Sequence, residues 1–504
     1  MGWLHEILQA GGLAGAAGAA PRIAIDEATW IAAGERLADG EGTLLSLWGD
    51  ADAVCMAVLD GESIGILSLP CATGRFPSIG RLHAPAIRLE RAIRDLNGLQ
   101  PQLSTDTRRW LDHGRWGVRQ PLGKMETGAP IGEAYAFRQA EGPSLHQVPV
   151  GPVHAGTIEP GHFRFHANGE TVVRLEVRLG YAHKGVDHLM AGASIEQGAK
   201  LAGRVCGDST VAYAIAFAQA VETALGIELP PRAVWLRALM AELERLANHL
   251  GDIGGICNDA SFSLLPAHCG ILREQVLRAS AACFGHRLMM DCVLPGGVRG
   301  DIAEDGAAVL YELTAGIRRR FPELVDLYDN TASLQNRTVT TGRVSTALAH
   351  QYGAGGFVGR ASGRTFDARK RPGYAPYQNL SFEIVTRPQG DVDARVWVRI
   401  EEVYQSMSLI EQILERMPTG DLQARSGRGA TPASGEGLAL VEGFRGDVLA
   451  WVRLGNDGRI ARCHLRDPSW FQWPLVEAAI EGNIIADFPL CNKSFNCAYS
   501  GHDL

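Results

Sequence analysis

Residues 395–417 read RVWVRIEEVYQSMSLIEQILERM. Val396, Ile400, Val403, Met407, Ile410 and Leu414 recur at intervals of 4, 3, 4, 3 and 4, which aligns them along one flank of a long α-helix. An apolar stripe of that length has to be covered by other helices, so the spacing predicts a bundle. Similar stripes run through VWLRALMAELERLANHL (234–250) and ILREQVLRASAACFGHRLMM (271–290), and the chain from about 193 to 417 is expected to be mostly helical. Working outward, FRFHANGETVVRLEVRL (163–179) alternates Leu175, Val177 and Leu179 with Arg174, Glu176 and Arg178 after the turn pair Asn168 and Gly169, a hairpin signature. Residues 436–504 are expected to return to short strands, LALVEGF and VLAWVRL, around the turn GNDG.

Towards the N-terminus, TLLSLWG, AVCMAVLD and SIGILSLP are short apolar runs separated by Gly and Asp turns. They precede APAIRLERAIRDLNG, a helix with Ile87, Ile93 and Leu96 on one face. The expected organisation is α+β: a small domain over residues 1–125, a Gly- and Pro-bearing linker over 126–148, and a large helical domain over 149–504 with a hairpin at its start and short strands near its end. The opening MGWLHEILQAGGLAGAAGAAPR lacks the basic start and leucine-rich centre of an export signal and reads as a short helix with a flexible lead.

Composition narrows the function classes. A net charge of -8 over 504 residues leaves no basic footprint for nucleic acid and no polybasic membrane anchor. No apolar run reaches the roughly 18 residues that a membrane span requires, so if the protein meets a membrane it does so through a partner. The ten cysteines form no C-x-x-C pair, and most lie in apolar helical stretches, as reduced buried thiols do.

Three constellations carry candidate chemistry. Glu242, Arg245 and His249 share a face of one helix, either as a buried acid-base relay or as an ordinary polar face. The loop GRASGRTFDARKRPGY gathers Arg360, Arg364, Arg369, Lys370 and Arg371 against Asp367. It fits a cationic loop that tunes a redox centre or grips an acidic neighbour, and equally a solvated charge run. The tail DFPLCNKSFNCAYSGHDL brings Cys491, Cys497 and His502 close together in sequence. Six residues separate the two cysteines, about 240° around a helix or roughly 20 Å along a strand, so neither regular conformation brings both to one ion. Cys206, placed in a helical region beside Asp208 and Ser209, is a core thiol unless the tail approaches it.

Taken together these segments resemble the large subunits of energy-converting nickel-iron hydrogenases, of the hydrogenase-4 and formate hydrogenlyase types, and the C and D subunits of respiratory complex I joined in one chain. In FPSIGRLHAPAIRLERAIRDLNG the likeness to the first of these two complex I proteins rests on Pro77, Ser78, Pro85, Glu90, Arg91, Asp95 and Gly98. GPVHAGTIEPGHFRF, GETVV, RLGYAHKGVDHL, ELERLANHLGDIG and SGRTFDARKRPGYAPY then follow, in order, the pattern that the second shares with the hydrogenases. The resemblance implies four metal-binding thiolates from two C-x-x-C pairs. The matching positions are Cys206, Ser209, Ala498 and Gly501, a degenerate set from which no metal is expected. The His and Tyr that complex I relatives use on quinone correspond to Ile158 and Gly207.

What the resemblance leaves is a scaffold and its charges. Glu159 falls at the acidic proton relay of the hydrogenases. With His154, His183, Glu242, Arg245, His249 and Asp503 it is expected to line an interior polar path, and Arg360, Arg364 and Arg369 are expected near a partner's cluster. The implied protein is an oxidoreductase-complex subunit of the NADH-quinone oxidoreductase or hydrogenase-4 type, peripheral on the cytoplasmic side of the inner membrane. It would couple electron transfer or conformational change to ion translocation, such as that of protons, and would bind no cofactor itself. Its partners would be a small iron-sulfur subunit, which holds the cluster, and a membrane arm of the antiporter type. Three alternatives stand beside it: a quinone-site subunit, a hydrogenase with ligands rebuilt from Cys206, Cys491 and Cys497, and a docking subunit with no chemistry.

Overall fold

A computed structural model describes residues 2–10, 20–128, 134–142, 144–424 and 435–504. The lead after the first helix, residues 11–19, lies outside them.

The N-terminal domain is built on a four-stranded sheet in which Arg22–Ala24 pairs parallel to Ser63–Pro70, followed by Ala53–Asp60 and Thr43–Asp50 in antiparallel register. The helix Ala86–Asn97 packs on the Thr43–Asp50 strand and ends at Gly98, whose φ of 77° is the left-handed cap that glycine tolerates. Its buried face differs from the expected one: Leu89 and Ile93 are in the core, whereas Ile87 and Leu96 are only half-buried. Glu90 and Asp95 are buried as well. Glu90 accepts from Ser78 Oγ and the Gly80 N–H, and Asp95 accepts from the N–H groups of Trp110, Leu111 and Asp112. These two carboxyls therefore anchor the loops that flank the helix.

The hairpin forms from His162–Asn168 and Thr171–Arg178, with Leu145–Val150 as a third strand. Asn168 pairs with Thr171, which moves the turn one residue along, to Gly169 and Glu170. Leu175, Val177 and Leu179 are buried as the alternation demands. Glu176 and Arg178 are buried too, because the N-terminal domain covers the other face. Arg178 donates to the carbonyls of Arg109 and Trp110 and lies over the rings of Trp110 and Tyr135. Tyr135, from the expected linker, also meets Arg91 and Arg108, so its ring is held between the N-terminal region and the hairpin.

The bundle comprises Thr210–Leu225, Pro231–Asp259, Leu264–Phe284, Gly306–Asn330 and Val392–Arg416. In the last of these Val396, Ile400, Val403, Met407 and Ile410 are in the core, and Leu414 is half-buried. A second buried stripe, Arg395, Arg399, Glu402 and Ser406, runs alongside it. The helix is therefore surrounded, and its charged side has to be neutralised internally. Thr210–Leu225 packs on an antiparallel sheet of Glu436–Gly443, Gly446–Leu454 and Ile460–Arg466. The tail departs from the expected strands: after Arg466 it forms the helices Ser469–Ala479, Phe488–Phe495 and Ser500–Asp503. One apolar cluster fills the bundle and the last sheet, and another joins the N-terminal domain, the hairpin and the tail helices. No described helix is long and apolar enough to cross a membrane.

Candidate functional site

Cys206 is not helical. It is an extended residue (φ -141°, ψ 121°) before a single turn, Gly207–Ser209, that leads into Thr210–Leu225. The tail does approach this segment, through Arg445. Its guanidinium reaches Asp208 Oδ1 at 2.9 Å, Ser209 Oγ at 3.1 Å and the Cys206 sulfur at 3.8 Å, and its Nε donates to the Asn496 carbonyl. Desolvation works to raise the Asp208 carboxyl, but Arg445 holds it down at about 2. Burial and the neighbouring Asp208 carboxylate push the Cys206 thiol well up, so it is held protonated.

The other expected donors are placed elsewhere. Cys491 is enclosed in the helix Phe488–Phe495, its thiol pushed up to about 11 by burial. The Cys497 sulfur faces Gln472 Oε1 at 3.9 Å, and its thiol too is raised by burial. His502 stacks on Trp470 and contacts Asp503 Oδ1 at 2.8 Å through Nδ1. Ala498 offers only backbone, its N–H to Ser469 Oγ and its carbonyl to Trp473. At Gly501 an added Cβ would lie 2.4 Å from Asp467 Oδ2, an oxygen already holding the Tyr213 hydroxyl at 2.7 Å. Among the described residues no three His, Cys, Asp or Glu side chains gather as metal donors.

The second constellation is deep inside. Glu242, Arg245 and His249 are all buried, which removes the reading as an outward polar face. Glu242 accepts from Arg369 (2.9 Å), Tyr377 (2.8 Å) and Ser406 (2.9 Å). His249 Nε2 meets Glu402 Oε2 at 2.7 Å. Arg360 ties Glu402 (2.7 Å) to Glu442 (2.8 Å) and approaches Asp367 at 3.4 Å. The cationic loop is thus no solvated run at its core: Arg360, Arg364 and Arg369 are buried, and only Lys370 and Arg371 are exposed. Burial and the Asp367 charge raise Glu442 to about 7 against the pull of Arg360 and Arg245. Glu402 goes the other way, held well down by Arg360 and His249 despite its burial.

The remaining expected path residues gather around the tail. Glu159 is exposed and accepts from the Ser500 N–H at 2.9 Å, and His154 Nε2 is 3.4 Å from the Tyr499 hydroxyl. His183 stacks on Trp116 and hydrogen-bonds the Asp503 carbonyl at 2.7 Å, while Asp503 Oδ2 accepts from the Ala182 N–H. No described hydrogen bond joins these four directly to the trio of Glu242, Arg245 and His249. The sequence reading missed Glu402, Glu442, Ser406 and Arg445. The first and third share the buried charged stripe of one helix, a signal that was present. Arg445 sits in a strand turn with no local signature.

Comparison with known proteins places this arrangement. The description "Respiratory-chain NADH dehydrogenase, 49 Kd subunit" matches residues 267–434 and 424–503, and "Nickel-dependent hydrogenase" matches residues 184–251. Formate hydrogenlyase subunit 5 of Escherichia coli K12 is 32% identical over 442 residues, covering 85% of this chain and 77% of that protein. The chain belongs to the family of hydrogenase large subunits and complex I 49 kDa subunits. Within that family, the carbon monoxide-induced hydrogenase of Rhodospirillum rubrum is 32% identical over 359 residues, 70% of this chain and 98% of its own length. A chain from the structure of the membrane-bound sulfane sulfur reductase, an archaeal respiratory membrane complex, superposes with a TM-score of 0.68 at 26% identity, over 72% of this chain and 99% of its own. The nickel-iron centre implied by part of the family does not fit the residues here. One protonated thiol stands beside a guanidinium, and the positions at 209, 498 and 501 supply a hydroxyl, a methyl and no side chain at all.

Proposed function

We propose that the chain is the large peripheral-arm subunit of a membrane-bound, complex I-like redox assembly that couples electron transfer or conformational change to ion translocation without a nickel-iron centre of its own. The named relatives belong to hydrogenase and respiratory membrane complexes, which supports an oxidoreductase-complex subunit. The observation that carries the reading is the Arg445 guanidinium at 3.8 Å from the Cys206 sulfur. A cation fixed there repels a metal dication, and a protonated thiol is a poor ligand for one.

The electrons then pass through an iron-sulfur cluster of a small partner subunit on the cytoplasmic side, and this chain contributes charge and protons. The buried cluster around Arg360, Glu402 and Glu442 suits that role, because it holds a carboxyl that titrates near neutrality inside a domain that a partner can perturb. Elemental analysis of the purified complex tests the reading together with ion uptake into vesicles carrying it. Iron without nickel, and uptake that depends on electron flow, are expected. Stoichiometric nickel would overturn the reading.

A further inference from the structure

Glu244 differs from most of the buried carboxyls around it. Glu222, Glu242, Glu402, Glu442 and Asp367 each have an arginine within ion-pair distance. Glu244 has none among the described residues. It accepts instead from two backbone N–H groups at the start of Thr210–Leu225, Val211 at 2.7 Å and Ala212 at 3.1 Å. A buried carboxyl facing only neutral donors is costly to ionise. Burial accordingly pushes it up to about 8, against the two N–H bonds.

Glu244 also lines a cavity of about 120 Å³, together with Asp208, Asn248, Arg273, Ser280 and Arg287. That volume admits several waters at roughly 10–15 Å³ each. The Asp208 side chain is 34% exposed and that of Arg287 51%, so the rim meets solvent. The Asn248 amide donates to the Asp208 carbonyl at 2.7 Å and to the Glu244 carbonyl at 2.9 Å, fastening the cavity wall to the Cys206 segment. Of the charged groups around it, Asp208 is committed to Arg445 and Arg287 to Glu274, while Arg245 on its own helix bonds the Glu442 and Gly443 carbonyls. Arg273 completes the set.

We propose that Glu244 is a proton-exchange site, a carboxyl loaded and unloaded from solvent through this cavity beside the Cys206–Ser209 segment. Hydronium gives its proton to the carboxylate and leaves water, and no oxidation state changes. Serving redox chemistry rests on the function proposed above, whereas the exchange itself does not.

Infrared spectra of the purified chain, wild type minus Glu244→Gln, isolate the carboxyl C=O band. It is expected to be present at pH 7, to disappear as the pH rises through about 8, and to shift promptly in D2O. Ala247→Leu fills the cavity and should keep the band while slowing its exchange by an order of magnitude or more, with Ser280→Leu as the substitute if that variant does not fold. No band at pH 7, or exchange no slower in the filled variant, would overturn the site. In the assembled complex, proton uptake on reduction should fall in Glu244→Gln. Unchanged uptake there, with the exchange intact, would overturn only the redox role.

Discussion

Arg445 grips Asp208 with both terminal nitrogens, Nη1 to Oδ1 at 2.9 Å and Nη2 to Oδ2 at 2.5 Å. The guanidinium is buried while the carboxylate is 34% exposed, so the two ends of the pair are not equivalent. Asp208→Asn leaves a buried cation without its counter-ion and is expected to cost about 3 kcal/mol. Arg445→Met leaves a carboxylate that water reaches and should cost about 1–2 kcal/mol. Urea unfolding at pH 7 measures both, and equal losses would contradict the asymmetry. Because the carboxyl is held at about 2 in the folded chain against an ordinary 3.8, the pair's contribution is full above pH 3.8 and lost as the pH falls through 2. Asp208→Asn should lack that acid limb.

Arg360 is the hub of the interior, meeting Glu402, Glu442 and Asp367 at once. Arg364, four residues on, has no carboxylate within ion-pair distance among the described residues and donates to the Ala354 carbonyl and Thr43 Oγ1. Arg360→Met is therefore expected to destabilise by about 3–5 kcal/mol, since three buried carboxylates lose their shared cation. Arg364→Met should cost about 1 kcal/mol, the worth of its hydrogen bonds. A solvated charge run would make both substitutions neutral, and chemical denaturation of the two variants separates the cases.

The pattern of what the sequence disclosed follows the range of the interactions. The stripe at 396, 400, 403, 407 and 410 is local, and it placed the central helix. Arg395, Arg399, Glu402 and Ser406 recur with the same helical spacing, yet their meaning depends on partners such as Arg360, Asp252 and Ser494, far along the chain. The spacing marks a buried face but carries no trace of which distant charges it meets. The helix Ser469–Ala479 was hidden for a different reason: Pro474 lies inside it, and proline ordinarily argues against a helix interior. Cys206, Ser209, Ala498 and Gly501 could be named from motif positions. That a guanidinium stands beside the first of them depends on the turn between Glu436–Gly443 and Gly446–Leu454, which carries Arg445 to the Cys206 segment only in space.

His113 fastens the N-terminal region to the end of the hairpin: its Nε2 hydrogen-bonds the Leu179 carbonyl at 2.8 Å, and its ring meets Tyr181 edge-on at 4.5 Å. Burial, with Arg178 nearby, brings its pKa down to about 4 from an ordinary 6.5. A histidine depressed on folding contributes stability that is full above pH 6.5 and declines as the pH falls toward 4, because the unfolded chain takes up the proton first. This attachment should accordingly weaken over that window. His113→Gln keeps a donor for Leu179 and should show a shallower loss of stability between pH 6.5 and 4, followed by thermal unfolding across the range. An unchanged slope would mean that other groups carry the acid sensitivity.

Restoring thiols to the motif positions tests whether ligand identity alone is what the site lacks. Ser209→Cys places a second sulfur near Cys206, but Arg445 Nη1 already stands 3.1 Å from the Ser209 hydroxyl. Ala498→Cys enters a position whose own Cβ lies within 3.0 Å of a Cβ built at residue 501. Gly501→Cys is the hardest: its Cβ would fall 2.4 Å from Asp467 Oδ2, and Asp467 cannot swing away cheaply while it holds the Tyr213 hydroxyl and the Ser469 N–H. That crowding is expected to cost about 1–3 kcal/mol as overpacking. The chain carrying Ser209→Cys and Ala498→Cys should fold but take up no stoichiometric nickel on equilibrium dialysis, because the guanidinium stays in place. Adding Arg445→Ala should raise the affinity of that chain for nickel, since the repelling cation is gone. Tight nickel binding with Arg445 intact would show that the missing thiols were the whole obstacle and that the guanidinium has no part in excluding the metal.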